Sequence, residues 1–171
     1  MRMRYTMALS AAAALGAPAF AADLTLKLEL PRLNVADYKR PYVAMWIEHA
    51  GDQSPAANLA VWYDIKKRDN GGAKWLKDMR TWWRKSGREL QMPVDGVSGA
   101  TRAPGEHALQ FAGARLASLP PGDYALVVEA AREDGGREVQ RLAFQWPAKS
   151  AQTVKATGDH ELGALSLEVK P

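Results

Sequence analysis

Between Asp23 and Leu30, leucine takes every second position (Leu24, Leu26, Leu28, Leu30), with Thr25, Lys27 and Glu29 in the gaps. That period of two predicts a half-buried strand, which Pro31 ends. Tyr42 to Glu48 predicts a second strand, preceded by Pro41. After a turn over Gly51 to Pro55, the residues Leu59, Val61, Tyr63 and Ile65 alternate as though on one face, completing a hairpin. The period then changes. Trp75, Met79, Trp82 and Trp83, with Leu76 beside them, fall at helical spacing, while Lys74, Lys77, Asp78, Arg80, Arg84 and Lys85 take the other side. This predicts an amphipathic helix of about three to four turns that stops at Ser86-Gly87.

A second group of strands comes after a long loop from about Glu89 to Glu106. Ala108 to Phe111 reads as a short strand, and Ala125 to Ala131 as an apolar one entered through Pro121-Gly122-Asp123-Tyr124. Such an entry places a tyrosine whose hydroxyl can bond back to the backbone, as at the corner of immunoglobulin-like sandwiches. Glu133 to Gly136 predicts a hairpin turn into Glu138 to Trp146. Pro147 stops that strand, a polar linker runs through Gln152 and Lys155, and Leu162 to Val169 is a final strand. Seven or eight strands without intervening helices exclude a doubly wound parallel sheet. The expected fold is mainly β: an antiparallel, immunoglobulin-like β-sandwich at residues 23–171, with the amphipathic helix and the loop inserted at about 73–108.

The first residues change this picture only by removing themselves. Arg2 and Arg4 precede a small, apolar stretch from Ala8 to Phe20, and Ala19-Phe20-Ala21 offers a cleavage site, so residues 1–22 read as a secretory signal peptide. The mature chain is then expected in the periplasm. Its formal charge falls from +4 to +2 with the two arginines, which calls for no polyanion, and that compartment makes nucleic acid no partner. Cysteine is absent, which excludes disulfides, thiol redox chemistry and thiolate-held clusters. Any electrons moved here need an organic carrier.

The candidate chemistry lies in Asp95-Gly96-Val97-Ser98-Gly99-Ala100-Thr101, followed by Arg102. Its glycines predict a surface loop, in which small residues at Gly99 and Ala100 let a large partner approach the Thr101 hydroxyl. The spacing resembles the covalent flavin-attachment motif of FMN-binding domains in extracytoplasmic electron-transfer proteins. That resemblance implies an FMN phosphoester at Thr101 made by an FMN transferase, with Asp95 as the leading acid, Ser98 in the hydroxyl position, and Gly99 and Ala100 as the small pair. It also implies electron relay between a membrane-bound reductase and an extracytoplasmic acceptor. Arg102 is placed to pair with the phosphate, and one of Trp75, Trp82 and Trp83 to stack on the flavin, with Trp82 and Trp83 the leading candidates and at least two of the three docking the helix on the sandwich. The mature chain, with its Trp-containing segment followed by Ser-Gly-Ala-Thr-Arg, is also similar to a family of predicted periplasmic bacterial proteins of unknown function.

Other chemistries fit less well. Gly96-Val97-Ser98-Gly99 is not a Gly-x-Ser-x-Gly nucleophile elbow, although His107 stands nearby. His49, His107 and His160 lack ligand spacing, which leaves Asp159-His160-Glu161 as the one metal-like cluster. The alternative from a different class is a cofactor-free module that meets a partner or a membrane surface through its Trp-rich, basic helix.

Overall fold

The computed structural model describes residues 23–171, and the signal peptide read at 1–22 lies outside them. Among the described residues nine strands form two sheets. They are β1 (Leu24–Leu30), β2 (Tyr42–His49), β3 (Pro55–Tyr63), β4 (Ser98–Ala100), β5 (Gly105–Phe111), β6 (Gly122–Ala131), β7 (Arg137–Trp146), β8 (Gln152–Thr157) and β9 (Ala164–Val169). One sheet has the order β5-β1-β9-β8 and the other β4-β3-β2-β6-β7. The fold is the mainly β sandwich that the alternation predicts. Its pairings are antiparallel except one, β3 with β4, which is parallel.

The leucines of β1 are all buried and face Val43, Met45 and Ile47 of β2 and Leu126 and Val128 of β6 across the sandwich. Each such side chain contributes about 1.5–3 kcal/mol by leaving water. The intervening residues of the five-stranded sheet are buried too. Ala44, Trp46, Val61, Tyr63 and Val127 form a second core with Leu76, Met79 and Trp82 on the sheet's outer face. Cover on both faces explains why Tyr42 to Ile47 reads as a continuous apolar run and not as an alternation.

Several expectations are corrected. Leu59, Val61 and Tyr63 do not share a face: Met45 pairs with Ala60 and Trp46 with Asn58, so the chain bulges at Leu59. Leu59 joins the inner core, while Val61 and Tyr63 join the outer one; an extra residue in one strand reverses the facing of every residue beyond it. The polar stretch around Lys155 is the edge strand β8, whose Val154 and Ala156 pack on the core. The single amphipathic helix is two pieces: a 3-10 segment over Arg68–Asp78, with non-helical backbone at Asp69 and Asn70, and a six-residue helix α1 (Arg80–Lys85). A second short helix, α2 (Gly113–Leu116), comes after β5. The Tyr124 hydroxyl donates to the Pro120 carbonyl at 2.7 Å, as the Pro121-Gly122-Asp123-Tyr124 entry predicts.

Glu138 on β7 fastens the two sheets at one end. Its carboxylate accepts backbone N–H bonds from Asp159, His160, Glu161 and Leu162 at 2.7–3.0 Å. Burial works to raise its pKa, but the donors outweigh it and bring the value to about 2, from an ordinary 4.5. A depressed folded-state pKa gives stability that is present above about pH 5 and is lost as pH falls toward 2. Glu138→Gln should therefore lower stability by about 1.5–3 kcal/mol at neutral pH and flatten its dependence between those limits. Urea midpoints across that range measure both effects; a variant with the wild-type acid slope contradicts the assignment.

Candidate functional site

The Asp95–Thr101 motif is built on the edge of the five-stranded sheet. Val94 to Val97 make a tight turn closed by Val97 N–H to Val94 O at 3.2 Å, and Gly96 at its third position has φ +69°, a conformation that favours glycine. Ser98 Oγ accepts the Val94 N–H at 2.8 Å. The chain then pairs as β4, with Val61 opposite Ser98, Trp62 opposite Gly99 and Tyr63 opposite Ala100. Thr101 N–H donates to Tyr63 O at 3.2 Å, extending that pairing one residue further. Arg115 of α2 donates to the carbonyls of Leu59 and Gly96, tying the turn to the sheet.

The motif is thus a turn followed by a three-residue edge strand, where a free loop was expected. Gly99 is small for a local reason: a Cβ there would lie 3.2 Å from Trp62 Cδ1. Asp95 is exposed on the turn, which closes through backbone and Ser98 and not through an Asx-turn. The Tyr63 hydroxyl beneath the motif is buried without a partner at hydrogen-bond geometry. Burial raises its pKa, and the Ser98 hydroxyl is near enough to pull it partly back.

Thr101 is half-buried and lines a cleft of about 240 Å³ between β4, the chain before β2 and the 3-10 segment. Tyr38, Tyr42 and Trp75 supply its aromatic walls; Lys39, Arg40 and Lys67 its cations; Asp64, Asp78 and Glu133 its carboxylates. Tight local contacts hold these walls. The Tyr42 hydroxyl donates to the Gly72 carbonyl at 3.1 Å. A Cβ on Gly72 would lie 2.0 Å from the Asp64 carbonyl oxygen, so only glycine lets the 3-10 segment lie this close to the end of β3. Tyr38 lies under the Arg132 guanidinium at 6.0 Å, and Glu161 grips Arg132 with two bonds of 3.0 Å. Burial raises the pKa of both tyrosines, offset at Tyr38 by Arg132.

The other residues singled out in the sequence fall elsewhere. Arg102 turns away from Thr101 and stacks over Trp62 at 5.3 Å, where His107 also meets the ring edge-on. Trp82 is 0% exposed and its Nε1 donates to Asn58 at 2.8 Å. Asn58 is five residues from Tyr63 along β3, about 16 Å at a strand's rise, so Trp82 sits at the opposite end of the strand from Thr101. Trp83 packs beside it at 6.3 Å against the outer core. Neither lines the cleft; Trp75 does, and it is 43% exposed. In Asp159-His160-Glu161 the Glu161 carboxylate is taken by Arg132 and the Gly136 N–H. Among the described residues no three His, Asp or Glu side chains converge as metal ligands, and no helix is long and apolar enough to cross a membrane.

Two buried carboxylates missed by the sequence reading fix α1. Glu129 of β6, 0% exposed, accepts the N–H groups of Thr81 at 3.1 Å and Trp82 at 2.7 Å, and pairs with Arg137 at 2.6 Å. Glu48 of β2 accepts Trp46 Nε1 at 2.8 Å and pairs with Lys85 at 2.7 Å. Each is an acid set directly among apolar residues (Trp46-Ile47-Glu48 and Val127-Val128-Glu129-Ala130), the one trace it leaves in the sequence. Charge at both ends of the helix suits its dipole. The apolar side of the helix faces the sheet, and Lys74, Lys77, Arg80 and Arg84 face solvent.

A family model described as a predicted periplasmic protein (DUF2271) matches residues 23–164, and the chain belongs to that family. No curated protein and no solved structure matches it.

Glu129→Ala leaves the two helix N–H groups without an acceptor and Arg137 without its partner, and should cost about 2–4 kcal/mol. Chemical denaturation followed by tryptophan fluorescence reads this directly. Stability within about 0.5 kcal/mol of wild type, the range of an ordinary surface change, contradicts the clamp.

Proposed function

We propose that this periplasmic protein is a flavoprotein electron carrier whose FMN is joined to Thr101 as a phosphoester. The observation that carries the reading is the position of Thr101. The last residue of an Asp-Gly-x-Ser-Gly-Ala-Thr motif stands half-buried at a cleft with aromatic walls and charges of both signs. An acceptor needs no base of its own, because the transferase supplies one together with its metal. In the transfer, Thr101 Oγ forms a bond to the flavin-side phosphorus of a flavin dinucleotide. The pyrophosphate P–O bond breaks, AMP leaves, and the hydroxyl proton passes to the transferase's base. What the acceptor must provide is a reachable oxygen on a positioned backbone, and the pairing of β4 with β3, extended by Thr101 N–H to Tyr63 O, positions the backbone here.

The residues at the cleft suit the group. Arg40 and Lys67, both exposed at the cleft, can pair with the phosphate anion, in place of Arg102, which is committed to Trp62; exposed pairs of this kind orient more than they stabilise. Bound FMN supplies one- and two-electron chemistry, and a tethered cofactor cannot be lost outside the cytoplasm. Lys67, Lys74, Lys77, Arg80 and Arg84 line the exposed surface of the same segment. That surface favours a redox partner with an acidic docking face, by steering its approach. The electrons would pass from a membrane-bound reductase to an extracytoplasmic acceptor.

Full-length protein co-expressed with an FMN transferase and exported should gain the mass of FMN less one water and fluoresce in a denaturing gel. Thr101→Ala should gain neither, with an unchanged circular dichroism spectrum, and Thr101→Ser should regain both. Flavin that dissociates on denaturation rejects the covalent link; a labelled Thr101→Ala rejects the residue.

A further inference from the structure

We infer that Trp75 is the stacking platform for a flat heteroaromatic ring in the cleft beside Thr101, and that in the flavinylated protein this ring is the isoalloxazine. The second half rests on Thr101 being the attachment residue; the first does not.

Four of the six tryptophans, Trp46, Trp62, Trp82 and Trp146, are buried, and Trp83 packs partly on the outer core. Trp75 alone among them is exposed, at 43%, and it lines the cleft. Its position is imposed from below. The Gly72 backbone lies against Asp64, and the Tyr42 hydroxyl bonds to Gly72 O, which together fix the turn that carries Trp75. A large aromatic surface left open to water forgoes apolar burial that the neighbouring Leu76 obtains in full. An aromatic ligand would restore it, with stacking in addition.

Size points to the ring and not to the whole nucleotide. Clefts that enclose an entire ligand run to about 300–1,000 Å³, and this one holds about 240 Å³. On this assignment a planar ring would lie in the cleft against Trp75, and the ribityl phosphate would extend out of it to Thr101. Trp82 and Trp83 line no part of this cleft, so the assignment gives the ring contact to Trp75 in their place.

Flavinylated full-length protein tests the assignment through flavin fluorescence, which a stacked indole quenches by electron transfer. Wild type, Trp75→Leu and Trp83→Leu should carry the same FMN mass. Emission should rise severalfold in Trp75→Leu and stay at the wild-type level in Trp83→Leu. Equal quenching in Trp75→Leu and wild type overturns the platform. Absence of covalent FMN from wild type instead overturns the Thr101 reading. The platform is then decided by titrating free FMN into Thr101→Ala and Thr101→Ala/Trp75→Leu. Binding that weakens at least tenfold on loss of Trp75 supports it; equal binding, or none in Thr101→Ala, overturns it. Circular dichroism of each variant verifies the fold.

Discussion

The outer face of the five-stranded sheet is the constraint on which the rest of the structure depends. Strands β2 and β6 are apolar on both sides, so a sandwich that covered only one would leave Ala44, Trp46 and Val127 in water. The chain between β3 and β4 supplies the cover. Its helix is only six residues long, below the length at which an isolated helix is stable. It is held by the sheet itself: Glu129 takes its first N–H groups and Glu48 its last lysine. A buried carboxylate without such partners would be strongly destabilising. Cover and clamp therefore depend on each other.

The same connection makes the motif's geometry possible. Parallel neighbours cannot be joined by a hairpin and need a crossover of a dozen residues or more. Residues 64–97 are that crossover, and they return the chain to the free edge of β3 so that Ser98–Ala100 pair with it in parallel. Thr101 is the first residue beyond the strand, with its N–H still held by Tyr63 O. The cleft is therefore a by-product of covering the sheet: the 3-10 segment forms one wall, the edge pairing another, and the residues before β2 the third. Position along β3 separates structural tryptophans from the exposed one, with Trp82 held at Asn58 and Trp75 at the Tyr63 end.

Much of the sandwich is legible in the sequence because strand alternation is local. The β1 leucines, the tyrosine corner at Tyr124 and the β6–β7 hairpin at Glu133–Gly136 come from spacing and turn residues alone. The bulge at Leu59 is not legible, since nothing in Leu-Ala-Val-Trp-Tyr announces a change of phase. Nor is the break in the helix. The Trp75-Met79-Trp82-Trp83 spacing is helical, but the backbone leaves the helical region at Met79, and the close approach of Gly72 to Asp64 is set by tertiary contact. The motif points to Thr101 but not to its surroundings. Arg102 and Trp82 are near in sequence and committed elsewhere; Tyr38, Arg40 and Tyr42 are distant in sequence and line the cleft.

Tandem mass spectrometry of peptides from the protein as exported by its own host tests the central claim most directly. The predicted result is a peptide spanning Asp95 to Arg102 that carries FMN less one water, with the fragment ions placing the added phosphate on Thr101 and not on Ser98. An unmodified peptide from a host that flavinylates its other exported proteins, or a flavin located at any other residue, would contradict it.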